Sequence, residues 1–209
     1  MTRRFFGGSS RPERRGTPAD LLVLGLGNPG PRYEGTRHNV GADVVQLLAD
    51  RHDGRLKQAG HEPAESVEVR IDGQRLALAV PTTFMNESGQ AAASLVRRFG
   101  IDDPQNLVVV HDELDLPPGR LKIKLGGGLA GHNGLKSIDA HLHTRDFGRV
   151  RLGVGKPPST QAGRDHVLRR AGKAGQQLID ETIETAADAV EMILAEGFAP
   201  AMERFNARS

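Results

Sequence analysis

The chain contains no cysteine and no tryptophan, and only one tyrosine. Without cysteine there is no disulfide and no thiolate-ligated zinc, as expected of a protein kept in a reducing compartment. Aromatic residues make up 4% of the sequence, too few for the stacked platforms that grip single-stranded nucleic acid. No apolar run approaches the roughly 20 residues that a membrane-spanning helix requires. The expectation is therefore no membrane association and a cytoplasmic location. The G-x-S-x-G turn of ordinary serine hydrolases is also missing.

Glycine, by contrast, is plentiful, at 26 of 209 residues. The length suits one sizeable domain and is short for two. Residues 1–19 carry five Arg and one Glu and lack the apolar core of a signal peptide. They read as a flexible Arg-rich extension ahead of a single catalytic domain at 20–209. An organelle transit peptide is the alternative for such an Arg- and Ser-rich segment. Residues 120–156 hold eight basic side chains against two acidic ones. A local excess on a nearly neutral body points to one anionic partner, with a merely solvated surface as the alternative.

Strand and helix patterns are mixed along the chain. Leu21–Leu24 reads as a buried strand, residues 67–80 as a hairpin turning at Asp72-Gly73, and 107–114 as a buried strand that becomes polar. Residues 120–125 and 148–155 alternate as strands. Helical spacing covers 39–50, 132–142 and 176–196, and a helix capped by Asn86 or Ser88 runs to Phe99. The fold class is α/β: a single domain with a central mixed, twisted sheet flanked by helices.

Polar clusters follow the strands: Asn28 to Asn39, Phe84-Met85-Asn86 and His111-Asp112-Glu113. Gly131-His132-Asn133-Gly134 follows a triple glycine. Strands of one sheet can bring such ends to a common edge. His38 with Asp112 would make a minimal general-base unit, because a carboxylate fixes the imidazole tautomer and stabilises the imidazolium. Asn28, Asn86 and Asn133 would add amides that both donate and accept. Each residue also has a plainer reading: His38 satisfying backbone groups, Asn86 as a helix cap, Asp112 and Asn28 as turn residues, Met85 as core. Gly25-Leu26-Gly27-Asn28-Pro29-Gly30 matches the dinucleotide fingerprint G-x-G-x-x-G. Pro31 and Gly35 follow at once, however, where that motif needs a helix to begin. His141 and His143 form an H-x-H pair with no carboxylate-rich partner in the sequence.

Together, GLGNPGPRYEGTRHNVG (25–41), PTTFMNESG (81–89), HDELDLPPGRLKIKLGGGLAGHNGLKSI (111–138) and FGRVRLGVGKP (147–157) resemble the bacterial-type peptidyl-tRNA hydrolase family. The resemblance implies a monomeric α/β enzyme that needs no metal or organic cofactor. It cleaves the ester between a peptide and tRNA, recycling tRNA from stalled or abandoned translation. Carried over by position, it makes His38 the catalytic base and Asp112 its carboxylate partner. Asn28, Asn86 and Asn133 become the amides on the peptide end and ester. Tyr33 and Met85 line the cleft with His132 beside them, Lys124 and Arg151 clamp the tRNA 5′-phosphate, and the partner is the acceptor stem and 3′ end of peptidyl-tRNA. The Arg-rich extension lies outside the family pattern, Glu87 replaces a more usual apolar residue, and 165–170 matches only loosely. A non-catalytic RNA-binding protein on the same fold is the alternative. A dinucleotide-dependent oxidoreductase is a third reading, resting on the glycine fingerprint alone.

Overall fold

The computed structural model describes residues 17–58, 60–157 and 163–207. β1 (Leu21–Gly25) is the apolar run read from the sequence and is buried throughout. A loop and one 3-10 turn lead into α1 (Val40–Arg51), whose Val40, Val44 and Leu48 recur at helical spacing and are buried. β2 (Lys57–Gln58), β3 (Ala64–Ile71) and β4 (Gln74–Pro81) follow. β3 and β4 form the expected hairpin. Asp72 and Gly73 both have positive φ, 50° and 85°, which gives a two-residue turn the twist of its strands. Among the described residues there follow α2 (Ser88–Arg98), β5 (Leu107–Glu113), β6 (Leu121–Leu125), α3 (Asn133–Leu142), β7 (Gly148–Gly153), α4 (Gly163–Val167), α5 (Lys173–Glu196) and α6 (Phe198–Asn206).

The seven strands form one mixed sheet in the order β2-β3-β4-β1-β5-β7-β6. β4, β1, β5 and β7 run parallel, and β6 pairs antiparallel with β7 at one edge. Strand side chains alternate between two cores. Val23, Val108, Val110, Ile123 and Val150 pack beneath α1 and α5. Leu22, Leu24, Leu107 and Val109 pack with Phe147 beneath α2 and α3. The single-domain α/β expectation holds.

The glycines of the first motif serve helix–sheet contact. A Cβ on Gly41 would sit 2.2 Å from the Val110 carbonyl oxygen, and one on Gly25 would sit 2.2 Å from the Gly41 oxygen. No side chain fits at either place, so α1 presses directly on β1 and β5. Leu26 N–H donates to Val110 O (3.0 Å), and Ala42 N–H donates to Leu26 O (3.1 Å). No helix begins among Gly25, Gly27 and Gly30, so the geometry of the dinucleotide motif is missing.

At the N-terminus, Thr17 and Pro18 carbonyls accept from Arg75, and Ala19 N–H donates to Phe99 O at 2.9 Å. The folded body therefore includes 17–19, which the sequence pattern assigns to the extension. The remainder of that expected extension, 1–16, lies outside the described residues. Among the described residues no helix is long and apolar enough to cross a membrane.

Candidate active site

Because β1, β4 and β5 are parallel, their carboxyl ends meet at one edge of the sheet. The chain continues there into Asn28 and into the 3-10 turn Met85–Glu87, while Asp112 sits one residue before the end of β5. The fourth cluster arrives differently. β6 is antiparallel, and Leu125 pairs with Gly148 at the opposite edge. Residues 126–132 must climb back along the sheet to bring His132 and Asn133 to the others. The result is a cleft of about 880 Å³ lined by Asn28, Tyr33, His38, Met85, Asn86, Asp112, His132 and Asn133. All eight residues expected around the reaction centre share this one cleft.

At its floor His38 Nδ1 lies 2.7 Å from Asp112 Oδ1. The same oxygen lies 3.0 Å from His132 Nε2. His132 is the N-cap of α3: its Nδ1 accepts from the amides of Gly134 (3.2 Å) and Leu135 (3.4 Å). A ring nitrogen that accepts two N–H groups carries no proton, so the His132 proton is on Nε2 and is donated to Asp112. Asp112 is 3% exposed. Burial alone would raise its pKa, but the imidazoles of His132 and His38 outweigh that and hold the carboxyl well below the usual range. An ionised Asp112 keeps a proton on His38 Nδ1 and leaves Nε2 as the basic nitrogen.

Beneath them His111 is fully buried and donates Nδ1–H to its neighbour's carbonyl, Asp112 O, at 2.7 Å. Its ring meets that of His132 edge-on, with centroids 4.9 Å apart. Burial pushes the His111 imidazole down to about 3, so it stays neutral.

The amides are held by the backbone. Asn39, buried at the start of α1, accepts from Asn28 N–H and donates to Asn28 O, both at 3.0 Å. Asn28 Oδ1 accepts from Met85 N–H at 2.9 Å. This fixes the amide flip and leaves Asn28 Nδ2 as the donor end. Asn86 and Ser88 were both expected as possible helix caps, and neither is one. The N-cap of α2 is Glu87, with no side-chain cap bond, while Ser88 Oγ donates back to Met85 O at 2.8 Å. Asn86 is thereby left exposed on the cleft wall.

Lys124 and Arg151 lie outside this cleft. Lys124 is exposed on β6 opposite Arg149, with the Gly127 backbone folded against its side chain. Arg151 lies against Glu113, whose Oε2 accepts from Nε (3.0 Å) and Nη2 (2.6 Å). The charge count over 120–156 overstates the exposed excess. Arg145 and Lys156 also face carboxylates, and Arg149 is buried on the carbonyls of Gly127 and Gly128.

Phe84 and Glu113 belong to the clusters read from the sequence without a role of their own, and Leu114, Val167 and Leu168 join the cleft with no sequence signal as site residues. Asn39 and Arg37 flank His38: Asn39 ties the loop to Asn28, and Arg37 acts through partners distant in the chain. His38, Asp112 and His132 place potential metal ligands within 4.8 Å of one another. A metal on His132 Nε2 would push that ring's proton onto Nδ1, directly against the two amides it caps. The cluster is therefore arranged for a proton. No third ligand joins His141 and His143 among the described residues, and His141 Nδ1 donates to Ser137 O at 2.8 Å.

This geometry has close relatives. The family profile "Peptidyl-tRNA hydrolase" matches residues 22–209. The chain is 51% identical over 195 residues to a peptidyl-tRNA hydrolase of Cutibacterium acnes, covering 88% of this chain and 97% of the relative. It is 48% identical over 186 residues to one from Frankia alni, covering 89% and 93%. A crystal structure of peptidyl-tRNA hydrolase from Acinetobacter baumannii superposes with a TM-score of 0.86 at 37% identity, over 92% of this chain and 98% of that one. With the profile spanning nearly all of the folded body, the chain belongs to the peptidyl-tRNA hydrolase family, a family of ester hydrolases.

Proposed function

We propose that the protein hydrolyses the ester joining a peptide to the terminal ribose of tRNA, with His38 as general base, and so returns tRNA from abandoned translation. The observation that carries this reading is the 2.7 Å contact of His38 Nδ1 with a buried, ionised Asp112 at the floor of the cleft. His38 Nε2 takes a proton from water as the water oxygen bonds to the ester carbonyl carbon. The asparagine amides, among them Asn28 Nδ2, whose donor end is fixed by Met85 N–H on Oδ1, steady the oxyanion. Collapse breaks the bond to the ribose oxygen, which leaves with the proton from His38. The products are a peptide carboxylic acid and tRNA with a free hydroxyl. A ribose hydroxyl leaves more readily than an amine, so no covalent nucleophile is needed.

Asn28, Tyr33, Met85, Asn86 and Asn133 then hold the peptide and the ester, and His132 acts on them through Asp112. A free amine in place of the first peptide group would leave amide partners unpaired, which favours peptidyl over aminoacyl substrates. Lys124 and Arg151 take phosphate near the acceptor stem. By strand rise and spacing, Lys124 is roughly 14 Å from Asp112, about three residues along and two strands across. That separation suits a single-stranded 3′ end entering the cleft while the stem stays outside. The enzyme acts as a monomer in the cytoplasm and without a metal in this scheme. The test is incubation with N-blocked aminoacyl-tRNA without cofactor, following ester release. Release supports the reading, and binding without release would make the protein an RNA-binding module instead.

A further inference from the structure

Arg37 sits immediately before His38, yet its side chain points away from the catalytic pair. Its Nη1 donates to the carbonyls of His166 (3.2 Å), Arg169 (3.1 Å) and Arg170 (3.1 Å). Its backbone N–H donates to Arg169 O at 3.3 Å. Arg170 Nε returns to Glu34 O at 3.0 Å, with its side chain packed 3.4 Å from where a Cβ on Gly35 would lie. Five hydrogen bonds thus lace the loop that carries His38 to residues 166–170.

Those residues matter to the site because Val167 and Leu168 form part of the cleft wall. α4 has five residues, too few to be stable alone. The last carbonyls of a helix have no partners within it and carry a partial negative charge. One guanidinium takes the His166 carbonyl from that last turn and the Arg169 and Arg170 carbonyls from the segment just after it, in charge-assisted bonds. His166 Nε2 adds one contact from the other side, to Val154 O at 3.2 Å.

We propose that Arg37 is a positioning residue for the reaction: it fastens the Val167–Leu168 wall to the His38 loop and so sets substrate affinity without touching the proton transfer. The kinetic part of this rests on the hydrolase reading above, while the structural part does not. The test is hydrogen exchange on the unliganded full chain, with kinetics on peptidyl-tRNA. Arg37→Ala should speed amide exchange in 163–170 by ~10-fold or more, with the sheet unchanged. It should raise KM by ~10-fold, leave kcat within about threefold and leave the pH profile of kcat in place. Arg37→Lys, which keeps the charge and some of the bonds, should recover part of both effects. Arg170→Ala, which cuts the lacing from the opposite side, should reproduce the local exchange change even if Arg37→Ala folds poorly. Unchanged exchange in 163–170 in both alanine variants overturns the proposal. So does a fall in kcat at constant KM in Arg37→Ala. If the wild type releases no peptide, the hydrolase reading fails while the exchange experiment still decides the role of Arg37.

Discussion

His132 and Asp112 are joined by a hydrogen bond whose direction is set on the far side of the imidazole. Nδ1 accepts the Gly134 and Leu135 amides at the start of α3, so Nε2 must donate to Asp112 Oδ1 at 3.0 Å. One residue therefore caps a helix and orients the acid that holds His38, the proposed base. The two roles separate by substitution. His132→Asn keeps a good cap but cannot reach Asp112. His132→Ala loses both, at a cost of about 1 kcal/mol for the cap. Denaturant unfolding should find the asparagine variant nearly as stable as wild type, and both variants should lose ~10-fold in turnover. Equal instability of the two would contradict the capping role, and full activity of His132→Asn would contradict the role through Asp112.

His38→Ala should lower turnover by ~10²–10⁴-fold, the usual worth of a positioned base, with tRNA binding nearly intact. Asp112→Asn should be milder. Both imidazoles contact the same oxygen, Oδ1. An asparagine that keeps its oxygen there still accepts from both rings, and only the negative charge is lost. Single-turnover hydrolysis and tRNA binding on the same preparations settle the point. Normal hydrolysis by His38→Ala would mean that the base is another group.

Lys124 and Arg151 should not behave alike, although the family resemblance pairs them as a phosphate clamp. Lys124→Ala removes an exposed charge, so stability should stay within about 0.5 kcal/mol. The salt dependence of tRNA binding should flatten by up to about one charge. Arg151→Ala strands Glu113, which is 4% exposed, and should cost about 3 kcal/mol of stability. Thermal unfolding beside a salt titration distinguishes the two. An unchanged salt slope for Lys124→Ala would remove that residue from the clamp.

Local pattern carried most of the fold into view. The stretch 107–114 begins as an apolar run that reads as a buried strand before it turns polar, and the valines and leucines of 40–48 repeat at helical spacing. The cleft was legible because three polar clusters directly follow strands, and parallel strands deliver their ends to one edge. The fourth cluster was harder, since β6 runs the other way and only the tertiary path of 126–132 brings His132 back. The cap expected of Asn86 failed because a 3-10 turn intervenes and Ser88 bonds backwards to Met85 O. The partners of Arg37 lie 129 to 133 positions away, and a side chain that binds backbone carbonyls leaves no mark in the sequence of its partners. The charge excess at 120–156 could be counted, but its pairing with Glu113, Asp115 and Asp139 could not.

Acid stability supplies a last test, through His111. Burial foremost, with help from the nearby His132 and Arg149, lowers its pKa from 6.5 to about 3, against the pull of Asp112. The unfolded chain binds a proton at His111 below about pH 6.5 that the folded chain refuses until about pH 3. Its contribution is complete above the unfolded value and drains away as pH falls through that window. The loss is on the order of 5 kcal/mol by the lower end. Asp112 does not mask the effect, because its own pKa is depressed below the ordinary carboxylate range and it stays ionised over most of the window. His111→Asn retains a donor near the Nδ1 position for the Asp112 carbonyl but has nothing to protonate. Urea midpoints measured from pH 7 to pH 4 should therefore fall less steeply for the variant, by up to about one proton in slope. Parallel curves would mean that His111 takes up its proton inside the fold. A charge would then lie directly beneath His132, and the single donor direction that organises the site would no longer hold.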